Sequence, residues 1–413
     1  VFHLETAVLP AAHPHAAANE KHVERLVKFL LWARGGWRIY VDGPAPLAAA
    51  LASHYVATAP GRFDADFVGR QIFDHPIEVV ATRDLPPERS VTRPLGRHLD
   101  GCRIGFDLGG SDRKAAAVLD GRVVFSDETV WDPYHKPDPQ YHYDGIMDSL
   151  RKAAAHLPRV DAIGGSAAGV YVNNRVKAGS LFRGVPSDLF AARVKDLFLE
   201  VRKAWNGVPF EVVNDGEVTA LAGSMSLGAH AILGIALGTS TAGGYVTADG
   251  NITSWLNELA FVPIDYNADG PVDEWSGDCG VGSQYFSQQC VARLMGPAGI
   301  ETAPDLPFPE KLKVVQGLMS EGDPRAKQIY QTIGTYLGYG VAHFSAFYDL
   351  QHVLVLGRVT SGPGGDDIVN GARQVLETEF PDLRERIAFH VPDEHDKRHG
   401  QAIAAASLPE ILR

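Results

Sequence analysis

Two carboxylates and two glycine-rich turns carry the chemistry that this sequence could perform. Asp107 ends a short apolar run (Ile104, Gly105, Phe106) and is followed by Gly109, Gly110, Ser111, Asp112, Arg113 and Lys114 before a second β-like run at 115–118. That order predicts a hairpin with a bare turn, whose backbone N–H groups can approach phosphate oxygens without a Cβ in the way. A carboxylate at the end of the first strand can hold Mg²⁺ directly or through water. Residues 237–244, Leu-Gly-Thr-Ser-Thr-Ala-Gly-Gly, repeat the design and offer Gly238, Thr239, Ser240, Thr241 and Gly243. Between the two turns, the apolar run PFEVV closes on Asn214-Asp215. A carboxylate at a strand's end beside such turns can act as a general base, and Asp215 is the candidate. Its alternative role is to cap the helix that follows.

The elements around these residues alternate. Hairpin strands at 103–119 and 122–130 precede a helix near 144–156 and a buried strand from 161. A helix over 187–204 is expected to open on a Ser187 and Asp188 cap pair, followed by a strand at 209–213 and a helix at 217–227. The second hairpin spans 231–247, and 249–282 is loop-rich. Helices at 284–294, 325–348, 366–380 and 400–408 then alternate with strands at 353–356 and 387–391. A glycine-turn hairpin followed by helix and strand alternation occurs in both halves, which predicts a distant internal repeat of the α/β class. Two like domains facing each other would put both turns on opposite walls of one cleft.

Residues 1–100 read as a separate α/β extension. Val23, Leu26, Val27, Leu30 and Leu31 mark an amphipathic helix over 20–34, ended by Gly35-Gly36. A strand at 37–43, a helix at 46–55 and a strand at 76–82 follow, and a proline-rich connector, 85–97, ends the piece. The expected division is 1–100, 101–215 and 216–413, with the C-terminal helix free to pack back on the first domain. The apolar helix face must be buried, so the extension should pack on the body or on a second copy of the chain, as in a homodimer.

Composition narrows the function. The 413 residues are 45% hydrophobic and 21% charged, enough for two or three cores. A net charge of −12 argues against a nucleic-acid surface, and the extension carries equal numbers of acidic and basic residues where a DNA-binding arm would be basic. No apolar run reaches the length of a membrane span. Three cysteines make no disulfide framework, and with no secretory pattern at the N-terminus the expectation is a cytoplasmic protein.

These motifs carry a resemblance. DLGGSDRK from Asp107 and LGTSTAGG from Leu237 resemble the two phosphate motifs of the sugar kinase, actin and Hsp70 superfamily, and VLGRVTSG from Val355 resembles its adenosine-contacting turn at Gly357. Asn214-Asp215, Glu258 within NELAF, and Arg183 to Pro186 (RGVP) follow the order of the ROK sugar kinases and repressors. The likeness covers about 300 residues from Cys102 onward and leaves the extension outside. It implies a two-domain, ribonuclease-H-like or actin-like ATPase fold with a duplicated core, ATP and Mg²⁺ as cofactors, and a sugar or polyol as acceptor.

The resemblance places Asp215 as general base and Asp107 at Mg²⁺. Gly109, Gly110, Ser111, Gly238, Thr239, Ser240, Thr241 and Gly243 would meet phosphate, while Lys114 either reaches phosphate or lies on the hairpin's outer face. Asn214, Glu258, Asn257 and Arg183 would meet the acceptor, since a site that hydrogen-bonds hydroxyls discriminates strongly. Two departures stand out. Family members usually carry Lys or Asn where this chain has Asp112, whose charge needs compensation by a metal or Arg113. They also commonly place a His and a cysteine cluster for structural zinc where this chain has Phe261 and SGDCGVGSQYFSQQC, so no zinc is expected. Trp255, Tyr266, Trp275 and Tyr285 lie in this altered region as core or ring-stacking residues. Two further functions fit the same fold: a sugar-sensing regulator and a catalytically idle binding protein.

Overall fold

A computed structural model describes residues 1–89, 95–391 and 394–411. The connector predicted at 85–97 lies partly outside them. The extension is α1 (Ala18–Arg34), β1 (Arg38–Val41), α2 (Ala45–Ala57), α3 (Ala59–Asp64) and β2 (Glu78–Ala81), with β1 and β2 paired in parallel. Such a pair needs a crossover, and α2 and α3 supply it. Leu51 and Tyr55 meet Leu31 in a small core of its own.

The first body sheet has the order β5-β4-β3-β6-β9: β3 (Cys102–Leu108), β4 (Asp112–Leu119), β5 (Arg122–Val130), β6 (Ala162–Ala167) and β9 (Phe210–Asn214). β3, β4 and β5 form an antiparallel meander, while β6 and β9 run parallel to β3. Helix α4 (Pro139–Ala154) begins five residues before the expected start because Asp138 caps it, accepting from Gln140 N–H at 2.9 Å. A small hairpin, β7 (Val170–Val172) with β8 (Arg175–Ala178), was not expected.

The predicted helix at 187–204 is three pieces: α5 (Ser187–Leu189), a wider-turned segment Phe190–Val194 and α6 (Leu197–Ala204). Ser187 and Asp188 are not its cap. Pro186 takes that place and offers no side-chain acceptor.

After α7 (Asp215–Leu227) the second sheet runs β11-β10-β12-β13: β10 (Ile232–Leu237), β11 (Thr241–Val246), β12 (His352–Leu356) and β13 (Ala388–His390). Its hairpin is antiparallel, and β12 and β13 are parallel to β10. A hairpin extended by two parallel strands therefore occurs twice, as the internal repeat predicts. Around it lie α8 (Gln288–Met295), α9 (Phe308–Ser320), α10 (Pro324–Phe344), α11 (Gly364–Glu379), α12 (Pro381–Arg386) and α13 (Glu394–Ala406).

Two helices tie the parts together. α13 returns to the first sheet so closely that a Cβ on Gly105 would lie 2.1 Å from Ala402 O, and one on Gly164 would lie 1.8 Å from Ala405 O. Glycine inside those strands is the condition for this approach. α1 buries Phe29 and Trp32 in the core of the second half, so the extension packs on the body, as its apolar face requires.

Candidate active site

Strand register brings the first carboxylate to the sheet's carboxyl edge. Asp107 pairs with Ser166 across β3 and β6, and Ala167 pairs with Asn214 across β6 and β9. Asp107 is half-buried, and burial raises its pKa although the Ser166 hydroxyl and Lys114 oppose the rise. Lys114 stands opposite Asp107 in the β3–β4 register, on its face of the sheet. Its Nζ lies 3.0 Å from Asp112 Oδ1 and 3.8 Å from Asp107 Oδ2. The charge of Asp112 is thus compensated by Lys114. Arg113, the compensating group anticipated from the sequence, is buried and bonded to Asp148 and Ser149.

Both turns are tight. Gly109 N–H donates to Asp112 O at 2.9 Å, and Gly109 O accepts from Trp131 Nε1 at 2.8 Å. Gly110 lies beneath Tyr134, where a Cβ would stand 2.0 Å from the phenol oxygen. Arg183 is exposed and covers the same ring, its guanidinium 3.8 Å from the centroid. In the second turn Gly238 N–H donates to Ser240 O at 2.9 Å, leaving Thr239 and Ser240 exposed at the tip. Thr241 points inward. It is buried, and its hydroxyl bonds Phe286 O at 2.8 Å and Gly282 O at 3.2 Å, which commits it to the fold and not to a ligand. Gly357, with φ +96°, lets the end of β12 meet the end of β10, since a Cβ there would lie 2.4 Å from Leu237 O.

Asp215 sits between these walls as the first residue of α7. The capping role falls to Asn214, whose Oδ1 accepts from Gly216 N–H at 2.7 Å while its Nδ2 donates to Gly169 O at 2.7 Å. Asn214 is therefore engaged at both ends of its amide. Gly216 and Gly244 allow α7 to abut β11 backbone to backbone, a Cβ on Gly244 reaching within 2.1 Å of Gly216 O. Burial, followed by repulsion from Asp107, pushes the Asp215 carboxyl up to about 6. Burial and Asp215 together push Glu258 up to about 7. Three acids thus act on one another in series: Asp107 of the first hairpin raises Asp215, and Asp215 raises Glu258 of the loop after β11.

Asn257 is committed to the interior. It is buried in the left-handed region at φ +50°, donates to Glu217 Oε1 and accepts from Tyr348 Oη at 2.9 Å. Burial pushes Glu217 up to about 8, so it is largely protonated at neutral pH. Sequence reasoning missed Ser166, Tyr134 and Glu217. The first was readable as the only hydroxyl in a buried strand, whereas the other two left no signal.

The region expected to lack zinc is held by side chains. Lys28 Nζ contacts Asp64 at 2.8 Å and Asp278 at 2.9 Å, and Arg25 meets Asp278 at 2.9 Å. Phe261 stacks in a cluster with Trp32, Phe63, Phe67 and Trp275. Trp255 packs on Tyr245, while Tyr266 and Tyr285 line a cavity of about 700 Å³ to which Asp107, Asp215 and Glu258 do not contribute. Among the described residues, no helix is long and apolar enough to cross a membrane.

No family model and no curated relative matches this sequence. Solved structures do. A ROK hexokinase from Thermus thermophilus is 19% identical with a TM-score of 0.57, covering 74% of this chain and 97% of its own. A ROK glucokinase from Streptomyces griseus, solved with glucose and AMPPNP, is 21% identical with a TM-score of 0.55 over 75% of this chain and 99% of its own. A ROK transcriptional regulator homologous to the Escherichia coli MLC protein is 17% identical with a TM-score of 0.59, covering 94% of this chain and 96% of its own. With its duplicated hairpin sheets, the chain shares the mixed α/β fold of these ROK kinases and this ROK regulator.

Proposed function

We propose that this protein phosphorylates a hydroxyl of a sugar or polyol with ATP and Mg²⁺. The observation that carries the reading is the placement of Asp215, a half-buried carboxyl held near 6, between Asp107 of one hairpin and the backbone of the other. A carboxylate with that pKa is ionised at neutral pH and basic enough to draw the proton from an incoming alcohol. Glu258 is the acceptor-binding group, accepting from a second hydroxyl or donating when protonated. Exposed Thr239 and Ser240, with the turn N–H groups around Gly238 and Gly243, would cradle the phosphates, where donors fixed in advance stabilise the developing charge. Gly109, Gly110 and Ser111 form the opposite wall, and Arg183 stands above it on Tyr134.

The donor set near Asp107 suits a hard, oxygen-seeking cation such as Mg²⁺. One carboxylate, with water and phosphate oxygens, satisfies an ion that keeps several waters, and among the described residues no cluster of three His, Cys, Asp or Glu side chains could hold a metal. The ion would offset charge on the transferred group, and Lys114 beside Asp107 adds a second cation. The kinase reading is tested by ATP turnover over a panel of hexoses, hexosamines and polyols, with Asp215→Asn as control. Turnover that no acceptor raises, or that the variant retains, would refute it.

A second reading, a sugar-sensing regulator, is favoured by the coverage of the extension in the MLC-like structure. Against it stand the neutral extension and the burial of α1 within the body. Sugar binding without turnover would favour it.

A further inference from the structure

The extension reaches the acceptor side of the cleft through its first helix. The last turn of α1 leaves carbonyl groups without helical partners, and two of them are taken by the segment that carries the acceptor carboxylate. Trp32 O accepts from Glu258 N–H at 3.0 Å, and Ala33 O accepts from Asn257 N–H at 3.0 Å. Arg34, the final residue, stacks its guanidinium on Trp255 and donates to Phe347 O. Its burial lowers the guanidinium pKa to about 10.

The helix then stops at Gly35 with φ +85°, a conformation that L side chains rarely adopt. A Cβ there would stand 2.7 Å from Phe73 Cζ and 3.2 Å from Leu256 Cγ, next to Asn257. Deeper in the helix, Trp32 Nε1 donates to Asp64 at 2.9 Å, and Lys28 joins Asp64 to Asp278 of the loop beyond Glu258.

We propose that α1 is a positioning element of the acceptor site, the carbonyl end of the helix fixing the backbone from which Glu258 points into the cleft. This rests on the kinase reading of Asp215 and Glu258. The extension is then no independent module: it holds one wall of the acceptor pocket in register through Asn257 and Glu258, whereas the turn tips at Gly110 and Ser111 and at Thr239 and Ser240 lie in other elements. Loosening the end of α1 raises the acceptor KM and leaves the ATP KM alone.

The test uses the full chain and two variants, Gly35→Ala, which pushes on Leu256, and Arg34→Met, which removes the stacked guanidinium and keeps length. Arg34→Met keeps the experiment decisive should Gly35→Ala fail to fold. Hydrogen exchange at the amides of residues 257 and 258 should speed up at least about tenfold in a variant that retains its circular dichroism, as expected when a local hydrogen bond opens more readily. With the best acceptor from the panel, the acceptor KM should rise about tenfold or more and the ATP KM stay within about twofold. Unchanged exchange, or faster exchange with both KM values moving together, overturns the proposal. A wild-type protein that turns over no sugar refutes the kinase reading instead, and the exchange measurement still decides whether α1 holds the segment.

Discussion

Replacing Asp215 by Asn should abolish turnover and stabilise the protein at the same time. The carboxyl is held from its ordinary 3.8 up to about 6 by burial and by Asp107. A displacement of that size corresponds to about 3 kcal/mol of cost in the ionised form, at about 1.4 kcal/mol for each pH unit. An amide of the same shape carries no charge, and its oxygen still accepts from Gly216 N–H, as the Asp215 oxygen does at 3.0 Å. At pH 8 the variant should therefore resist urea better by about 1–3 kcal/mol, while kcat falls by about 10²–10⁴, the usual contribution of a general base. The gain should shrink as the pH drops through 6 and vanish near 4, where the native residue is also protonated. Paired urea titrations at pH 8, 6 and 4.5, with turnover at pH 8, measure both effects. A variant less stable than the parent at pH 8, or one turning over within about threefold of it, would refute the reasoning.

Three further outcomes follow from the same geometry. Raised carboxyls at about 6 for Asp215 and about 7 for Glu258 mean that the folded protein binds these protons more tightly than the unfolded chain, so stability should decline as pH rises from about 4 to 7, while kcat/KM should fall on the acid side of about 6. Lys28→Met leaves Asp64 and Asp278 buried with a partner missing and should cost about 3–5 kcal/mol in denaturant midpoint experiments. Among the second-turn hydroxyls, Thr239→Ala and Ser240→Ala should raise the ATP KM without shifting Tm, whereas Thr241→Val should lower stability by about 1–3 kcal/mol because Phe286 O loses the buried hydroxyl that donates to it at 2.8 Å.

Much of this architecture was written in short-range patterns. Turn glycines next to Asp107 and at 238 sit where two hairpins form, because bare turns between apolar runs have few other solutions. The alternation after each hairpin announced the repeated sheet. What escaped depended on partners far away in the chain. Thr241 reads like its neighbours Thr239 and Ser240, yet one residue of strand register turns it into the interior. Asn257 reads as an acceptor ligand beside Glu258, but its amide is consumed by Glu217 and Tyr348. The break within 187–204 lacked a warning, since the apolar spacing there suits an unbroken helix. Gly105 and Gly164 did carry one: glycine in the middle of a buried strand marks the approach of another backbone, which turned out to be α13.

The return of α13 to the first sheet also orders events during synthesis. One face of β3 and β6 has no cover until the chain has been made past Ala406, and Phe29 and Trp32 of α1 must wait for Phe261, Phe344 and Phe347. The beginning and the middle of the polypeptide each complete their burial only after the C-terminal half has been made. Such late closure of distant contacts slows folding and leaves apolar surface open to wrong partners, so yield from a cell should respond more strongly to chaperone supply and growth temperature than the stability of the finished protein would suggest.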